Sequence, residues 1–231
     1  MPITVVTGAA GALGSILTRT LTARGHRVVA VDTPAAEARL AQLADVSGCT
    51  PIAFDVIEGW GQGLARIQGV VGQPDGAVLV AGGWQGGTPL HEEKDDAVWR
   101  AMLTANLATA ERSLRALLPG MVAAKKGSVV VIGSRVVERP WTSAGASAYA
   151  ASKAAAVALA QAVAAEVLEE GVRINAVLPS TLDTAANRAS MPKADPNRWV
   201  TPASLAGVIA FLLSDDARDV SGAAIPVYGR A

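Results

Sequence analysis

Tyr149 and Lys153 stand four residues apart in SAYAASKAA. On an α-helix that spacing puts both side chains on one face, roughly 6 Å apart along the axis. A phenol beside an ammonium makes a proton donor for chemistry near neutral pH, because tyrosine alone titrates near ~10 and an adjacent cation favours the phenolate. The pair by itself is weak evidence, since such a lysine can be a solvated surface group and such a tyrosine a packing residue. A second feature supplies context. Directly after the strand-like ITVV comes TGAAGALG, with Gly8 and Gly11 ahead of a helix beginning near Ala12 and Gly14 in its first turn. Glycines permit positive φ and close backbone approach, and a helix N-terminus offers unpaired amides to a pyrophosphate. The spacing is neither GxGxxG nor a GxxxxGK phosphate loop, and tight packing alone could also explain it.

Two acids extend the cofactor reading. Asp32 ends the second strand, where a carboxylate can hydrogen-bond a ribose diol and repel a 2′-phosphate; it can equally cap a helix before Thr33-Pro34. Asp55 closes the third strand in AFDV, placed to accept from an adenine amine or simply to make a turn.

The elements that must position these residues alternate along the chain. Apolar, β-rich runs occur at 3–6, 27–31, 50–54, 76–80, 127–132, 172–178 and 223–228. Their continuous hydrophobicity indicates strands covered on both faces, as in a parallel sheet. Helical patterns lie near 12–24, 35–45, 60–72, 95–122, 148–170 and 202–213. Gly25 and Gly171 follow two of them, and Thr201-Pro202 opens the last as cap and first-turn proline. The prediction is an α/β doubly wound parallel sheet of about seven strands with helices on both faces. No repeat or linker divides it, so residues 1–231 read as one domain, with 183–200 as a loop or short helical flap.

Composition narrows the function. Twenty basic residues balance twenty acidic ones, which offers nothing to nucleic acid or an anionic membrane. One cysteine, Cys49, excludes an internal disulfide, and two histidines make no metal-ligand cluster. Met1 and Pro2 lead straight into the first strand, and no apolar run reaches the roughly 20 residues of a bilayer span. The expectation is a soluble cytoplasmic protein acting on a small molecule.

These residues resemble the short-chain dehydrogenase/reductases. TGAAGALG fits that family's TGxxx[AG]xG pattern at Thr7, Gly8, Ala12 and Gly14, and YAASK fits its YxxxK. INAVLPSTLDT is similar to its NxxxPGxxxT, with Ser180 in place of the usual glycine. Asn106 in RAMLTANL and Ser134 in VIGS stand where the family keeps an asparagine and a serine, and SGAAIPVYG is like its last strand. Two departures, AGGWQGG at 81–87 and VLPSTLDTAANRASMPKADPNRW at 177–199, resemble the dihydropteridine reductases. Ser134 and Asn106 depart from that subgroup in turn, which leaves the substrate open.

The resemblance implies a mechanism. Tyr149 donates a proton as hydride arrives from a nicotinamide. Lys153 lowers its pKa and binds the nicotinamide ribose, Ser134 polarises the substrate oxygen, and Asn106 holds a relay water. The cofactor is NAD, with Asp32 favouring NADH over NADPH. It would be held by Gly8, Ala12, Leu13 and Gly14, by Asp55, by the Ala81–Gly83 backbone, and by Pro179, Leu182 and Thr184; Thr184 could instead cap the turn that follows. Arg19 and Arg135 are weaker candidates for phosphate contact. Trp84, Asn187 and Trp199 are the expected substrate contacts, with Trp141 also near the pocket mouth. Helices 95–122 and 148–170 are those that pair subunits in the family, so a homodimer or homotetramer is expected. Three functions remain: an NADH-dependent reductase of quinonoid dihydropterin, a generalist carbonyl or 3-oxoacyl reductase, and a non-catalytic dinucleotide sensor.

Overall fold

The structure, a computed structural model, describes residues 1–230. Seven strands form one parallel sheet: β1 (Ile3–Thr7), β2 (Arg27–Asp32), β3 (Cys49–Ala53), β4 (Gly76–Leu79), β5 (Gly127–Ile132), β6 (Val172–Pro179) and β7 (Ala224–Val227). Their order is β3-β2-β1-β4-β5-β6-β7. The continuous apolar runs are explained by two cores. Val5, Val29, Val129 and Val131 point to one, while Val6, Val28, Val130 and Ile132 point to the other. Successive strand residues face opposite ways, so a strand buried on both faces must be apolar throughout.

The helices between the strands are α1 (Ala12–Ala23), α2 (Glu37–Ala41), α3 (Trp60–Val71), α4 (Ala97–Met102), α5 (Thr109–Ala123), α6 (Ser147–Glu166), α7 (Ala185–Ser190) and α8 (Pro202–Leu213). α1, α2 and α8 cover one core with Leu13, Leu17, Leu21, Leu40 and Leu205, and α3, α5 and α6 cover the other with Ile67, Leu117 and Val157. Gly25 and Gly171 take left-handed φ values of 85° and 72°, and the Thr201 hydroxyl accepts from Ser204 N at 3.1 Å ahead of Pro202.

Two elements differ from the sequence reading. The pattern at 35–45 is a 3-10 turn over Pro34–Ala36 followed by only one short helix, α2. The long helix near 95–122 is continuous but wound as a π-helix over Leu103–Ala108. As expected of a short helical flap, 183–200 holds α7 and a 3-10 turn over Pro196–Arg198, and an isolated bridge between Leu182 and Val200 joins its two ends.

α6 corrects another expectation. Its 20 residues are long and apolar enough to cross a membrane by length and composition. Here its inner face, including Ala148, Ser152, Lys153, Ala156, Val157 and Ala160, is buried in the protein. Small side chains let it pack closely over β5 and β6 and carry Tyr149 to the carboxyl end of the sheet.

Candidate active site

The chain runs outward from β1 to β3 and then returns to β4 on the other side of β1. Loops leaving β1 and β4 therefore diverge and open a crevice at the strands' carboxyl ends. The crevice is a cavity of about 480 Å³ lined by Gly8, Ala12, Leu13, Gly14, Asp32, Asp55, Ala81 and Gly82, all predicted, and by Thr33, Arg39 and Thr104. Gly8 has φ +65° and lies so close to β4 that a Cβ would be 2.9 Å from Ala81 N. At Gly14 a Cβ would strike the Gly8 carbonyl and come within 2.6 Å of Ala9 Cα. Glycine is needed at both points for the turn to lie flat beneath a ligand. Asp32 holds the turn in place: one carboxylate oxygen accepts from Ala10 N at 2.9 Å, the other from Thr33 N at 2.8 Å. This cradle and the acid at its end fit a dinucleotide.

Arg39 was not among the sequence candidates, whereas Arg19 and Arg135, which were, do not line the groove. Reading 35–45 as one regular helix hid it. The signal available was Pro34, whose fixed φ makes a 3-10 start after β2 and brings α2 round toward Asp32.

The proton-transfer residues lie next to this groove. Ser134 follows β5, and Tyr149 and Lys153 share one face of α6. Lys153 is buried and donates to the Ile132 carbonyl at 2.8 Å. Burial brings its ammonium down to about 8, because a cation is poorly solvated there. Burial pushes the Tyr149 phenol above its ordinary value, and the Ser134 hydroxyl pulls it part of the way back.

Asn106 sits in the π-helical stretch and braces backbone. Its Oδ1 accepts from Gly83 N at 3.0 Å, and its Nδ2 donates to the Gly83 carbonyl at 3.1 Å and to Ser152 Oγ at 3.0 Å. The amide therefore clamps the loop after β4 to α6. This gives Gly82 a second reason to be glycine. A Cβ there would meet Asn106 Oδ1 at 2.7 Å and Lys153 Nζ at 3.5 Å, so the glycine makes room for the clamp as well as for a ligand. Thr7 Oγ1 accepts from Ala81 N at 3.2 Å, and Thr109 Oγ1 donates to the Ala81 carbonyl at 3.2 Å, fixing the same loop from both sides.

Pro179, Leu182 and Thr184 lie outside the cavity, beyond β5 at the end of β6. Thr184 caps α7, accepting from Asn187 N at 3.2 Å. The Leu182 carbonyl accepts from Thr184 N at 3.0 Å and from Asn187 Nδ2 at 2.8 Å. Asn187, expected to face substrate, is thus turned inward as a brace of α7, and Arg188 is paired with Asp183 at 2.6 Å. Trp84 is 66% exposed, and Trp199 is half-buried with its carbonyl against Gly229. Neither tryptophan lines the groove. A second cavity of about 560 Å³, lined by Leu90, Val136, Trp141, Ala150, Ala151 and Ala154, lies on the side of α6 turned away from Tyr149 and Lys153.

The pattern of the short chain dehydrogenase family matches residues 2–195. The chain belongs to that family. It is 32% identical to the 3-oxoacyl-(acyl-carrier-protein) reductase of Pseudomonas aeruginosa, over 98% of this chain and 96% of that one. Among solved structures, a short-chain oxidoreductase from Burkholderia thailandensis superposes with a TM-score of 0.85 at 32% identity, covering 99% of this chain and 91% of that one. A gluconate 5-dehydrogenase from Beutenbergia cavernae with bound NADP superposes at 0.86 and 28% identity, covering 99% and 95%. The protein is an oxidoreductase of the short-chain dehydrogenase type with an NAD(P) site.

Proposed function

We propose that the protein reduces a ketone, with a 3-oxoacyl thioester as the first substrate class to test, using NADH in preference to NADPH. The observation that carries this reading is the meeting of Ser134, Tyr149 and Lys153 beside a glycine-cradled groove. A nicotinamide dinucleotide held there by the Gly8–Gly14 turn and Asp32 would supply the hydride. Tyr149 would give its proton to the carbonyl oxygen as the C=O π pair moves onto it. Ser134 donates to the same oxygen, and Lys153 stabilises the phenolate left behind. Its ammonium keeps two N–H groups beyond the one given to Ile132, free for Tyr149 and a ribose hydroxyl. Each such group contributes about 10²–10⁴-fold. Asn106 acts by holding Gly83 at the mouth.

The NADH preference rests on Asp32, whose carboxylate disfavours a 2′-phosphate; Arg39 on the groove wall is the opposing cation. Asp32→Ala is expected to narrow the discrimination between NADH and NADPH, and an unchanged ratio removes Asp32 from that role. Reduction of a quinonoid dihydropterin is the second reading, supported by the AGGW loop and the 177–199 stretch. None of the relatives described above carries that activity in its name, and the similarity to the P. aeruginosa enzyme favours the first reading. The assay is oxidation of NADH with acetoacetyl thioesters, simple ketones and quinonoid dihydropterin in parallel. A pterin kcat/KM far above the others reverses the order of the readings. Pairing into a homodimer or homotetramer through helices 95–122 and 148–170 belongs to the same proposal; a monomer by light scattering would end it.

A further inference from the structure

The last residues described, Tyr228–Arg230, join three segments that the sheet order holds apart. The Tyr228 phenol donates to the Glu138 carboxylate, and the Arg139 guanidinium lies over its ring, 5.3 Å from the centroid. Glu138 and Arg139 end the short turn that leaves Ser134. On the other side, the Ser180 hydroxyl donates to the Tyr228 carbonyl at 2.7 Å and Ser180 N donates to the Val227 carbonyl at 3.0 Å. Ser180 is the residue standing where the family pattern has glycine, so this side-chain bond is the chain's own. Further along, Arg230 N donates to the Arg198 carbonyl at 3.0 Å, and the Arg198 guanidinium returns two bonds to the Arg230 carbonyl at 3.2 and 3.0 Å.

We propose that Tyr228 is a positioning residue, locking the loop after Ser134 and the 180–200 segment to the end of β7 so that Ser134 stays against Tyr149. The proposal rests on the reading of Ser134 and Tyr149 as the groups that meet substrate. Its physical basis is the weakness of the element being held. Arg135–Val137 is a single 3-10 turn, with poorer hydrogen bonds than an α-helix. It leaves β5, packs against α6 and β6 with Val137 on the core, and is fastened beyond its end by the Tyr228 contacts. Burial, then Glu138, raises the Tyr228 phenol to about 12, so it remains a donor wherever Tyr149 works. The pair is only partly buried, so its release has a moderate effect.

Tyr228→Phe removes the donor and keeps the ring under Arg139. Hydrogen exchange and steady-state kinetics are measured on the same preparations. Amides at 135–139 are expected to exchange about three- to tenfold faster, from the loss of one exposed hydrogen bond. The value of kcat falls about three- to tenfold while the NADH Kd stays within twofold, and the alkaline limb of the pH–rate profile moves up as Ser134 loses its hold on Tyr149. Glu138→Gln, which keeps an acceptor, stays within twofold of wild type, whereas Glu138→Ala behaves like Tyr228→Phe. Unchanged exchange in Tyr228→Phe overturns the latch, with or without a known substrate. Faster exchange with unchanged kcat and pH profile overturns the positioning role. Wild-type protein inactive on every substrate overturns the reductase reading instead, a failure separable from the first because exchange is read without turnover.

Discussion

Replacing Gly82 with alanine separates two reasons for a glycine at that position. If the residue serves only ligand approach, a methyl group weakens cofactor binding and leaves the free protein untouched. The structure gives a different result. The added Cβ would stand 2.7 Å from Asn106 Oδ1, well inside an ordinary carbon–oxygen contact, with Lys153 Nζ at 3.5 Å behind it. Asn106 must yield by roughly half an ångström, and its bonds to Gly83 N and to the Gly83 carbonyl, now 3.0 and 3.1 Å, lengthen together. Overpacking of this kind costs about 1–3 kcal/mol, the weakened hydrogen bonds included. For a chain of this length about 1 kcal/mol moves Tm by roughly 2–4 °C, so cofactor-free Gly82→Ala should melt roughly 2–12 °C lower. Calorimetry without NADH, followed by NADH titration, is the assay. A Tm within about 1 °C of wild type, paired with weakened NADH binding, refutes the clamp.

Two further outcomes follow from the buried groups. Lys153→Met should abolish turnover yet stabilise the free protein near pH 7. The fall from 10.5 to about 8, at about 1.4 kcal/mol for each pH unit, sets a cost of roughly 3 kcal/mol for the charged lysine, and loss of its bond to the Ile132 carbonyl takes back ~1. Because the folded-state value is the lower one, that cost is full below about 8 and fades as pH rises toward 10.5, so the variant's advantage should vanish there; urea melts at pH 7 and pH 10 test this. Ser134→Ala should lower kcat for reduction about 10²-fold or more and move the alkaline limb of the profile upward, since Ser134 is what holds the phenol down. A limb that stays put or moves down contradicts that account.

The strands were legible because burial on both faces leaves no room for polar residues, and the glycine turn was legible because φ > 0 and backbone contact admit little else. The proton-transfer set could be read from types and spacing. What one-dimensional spacing could not show is which partner each polar atom takes. Asn106 and Asn187 both looked available to water or substrate, and the fold uses both to brace backbone: Gly83 for one, the Leu182 carbonyl for the other. Thr184 takes the bland alternative, a helix cap. The sign of the shift on Tyr149 was also out of reach, since it depends on how far α6 sinks the phenol below solvent. Arg39 was missed because a proline-started turn bends α2 where a regular helix was expected.

The central claim is that Tyr149 hands its proton to a carbonyl oxygen beside an NADH-bearing groove. It is tested most directly by following NADH oxidation with an acetoacetyl thioester for wild type and Tyr149→Phe, with the NADH Kd measured on both. The account predicts measurable wild-type turnover, a fall in kcat of about 10²-fold or more in the variant, and a Kd within about twofold. Wild-type-like turnover by Tyr149→Phe would contradict it.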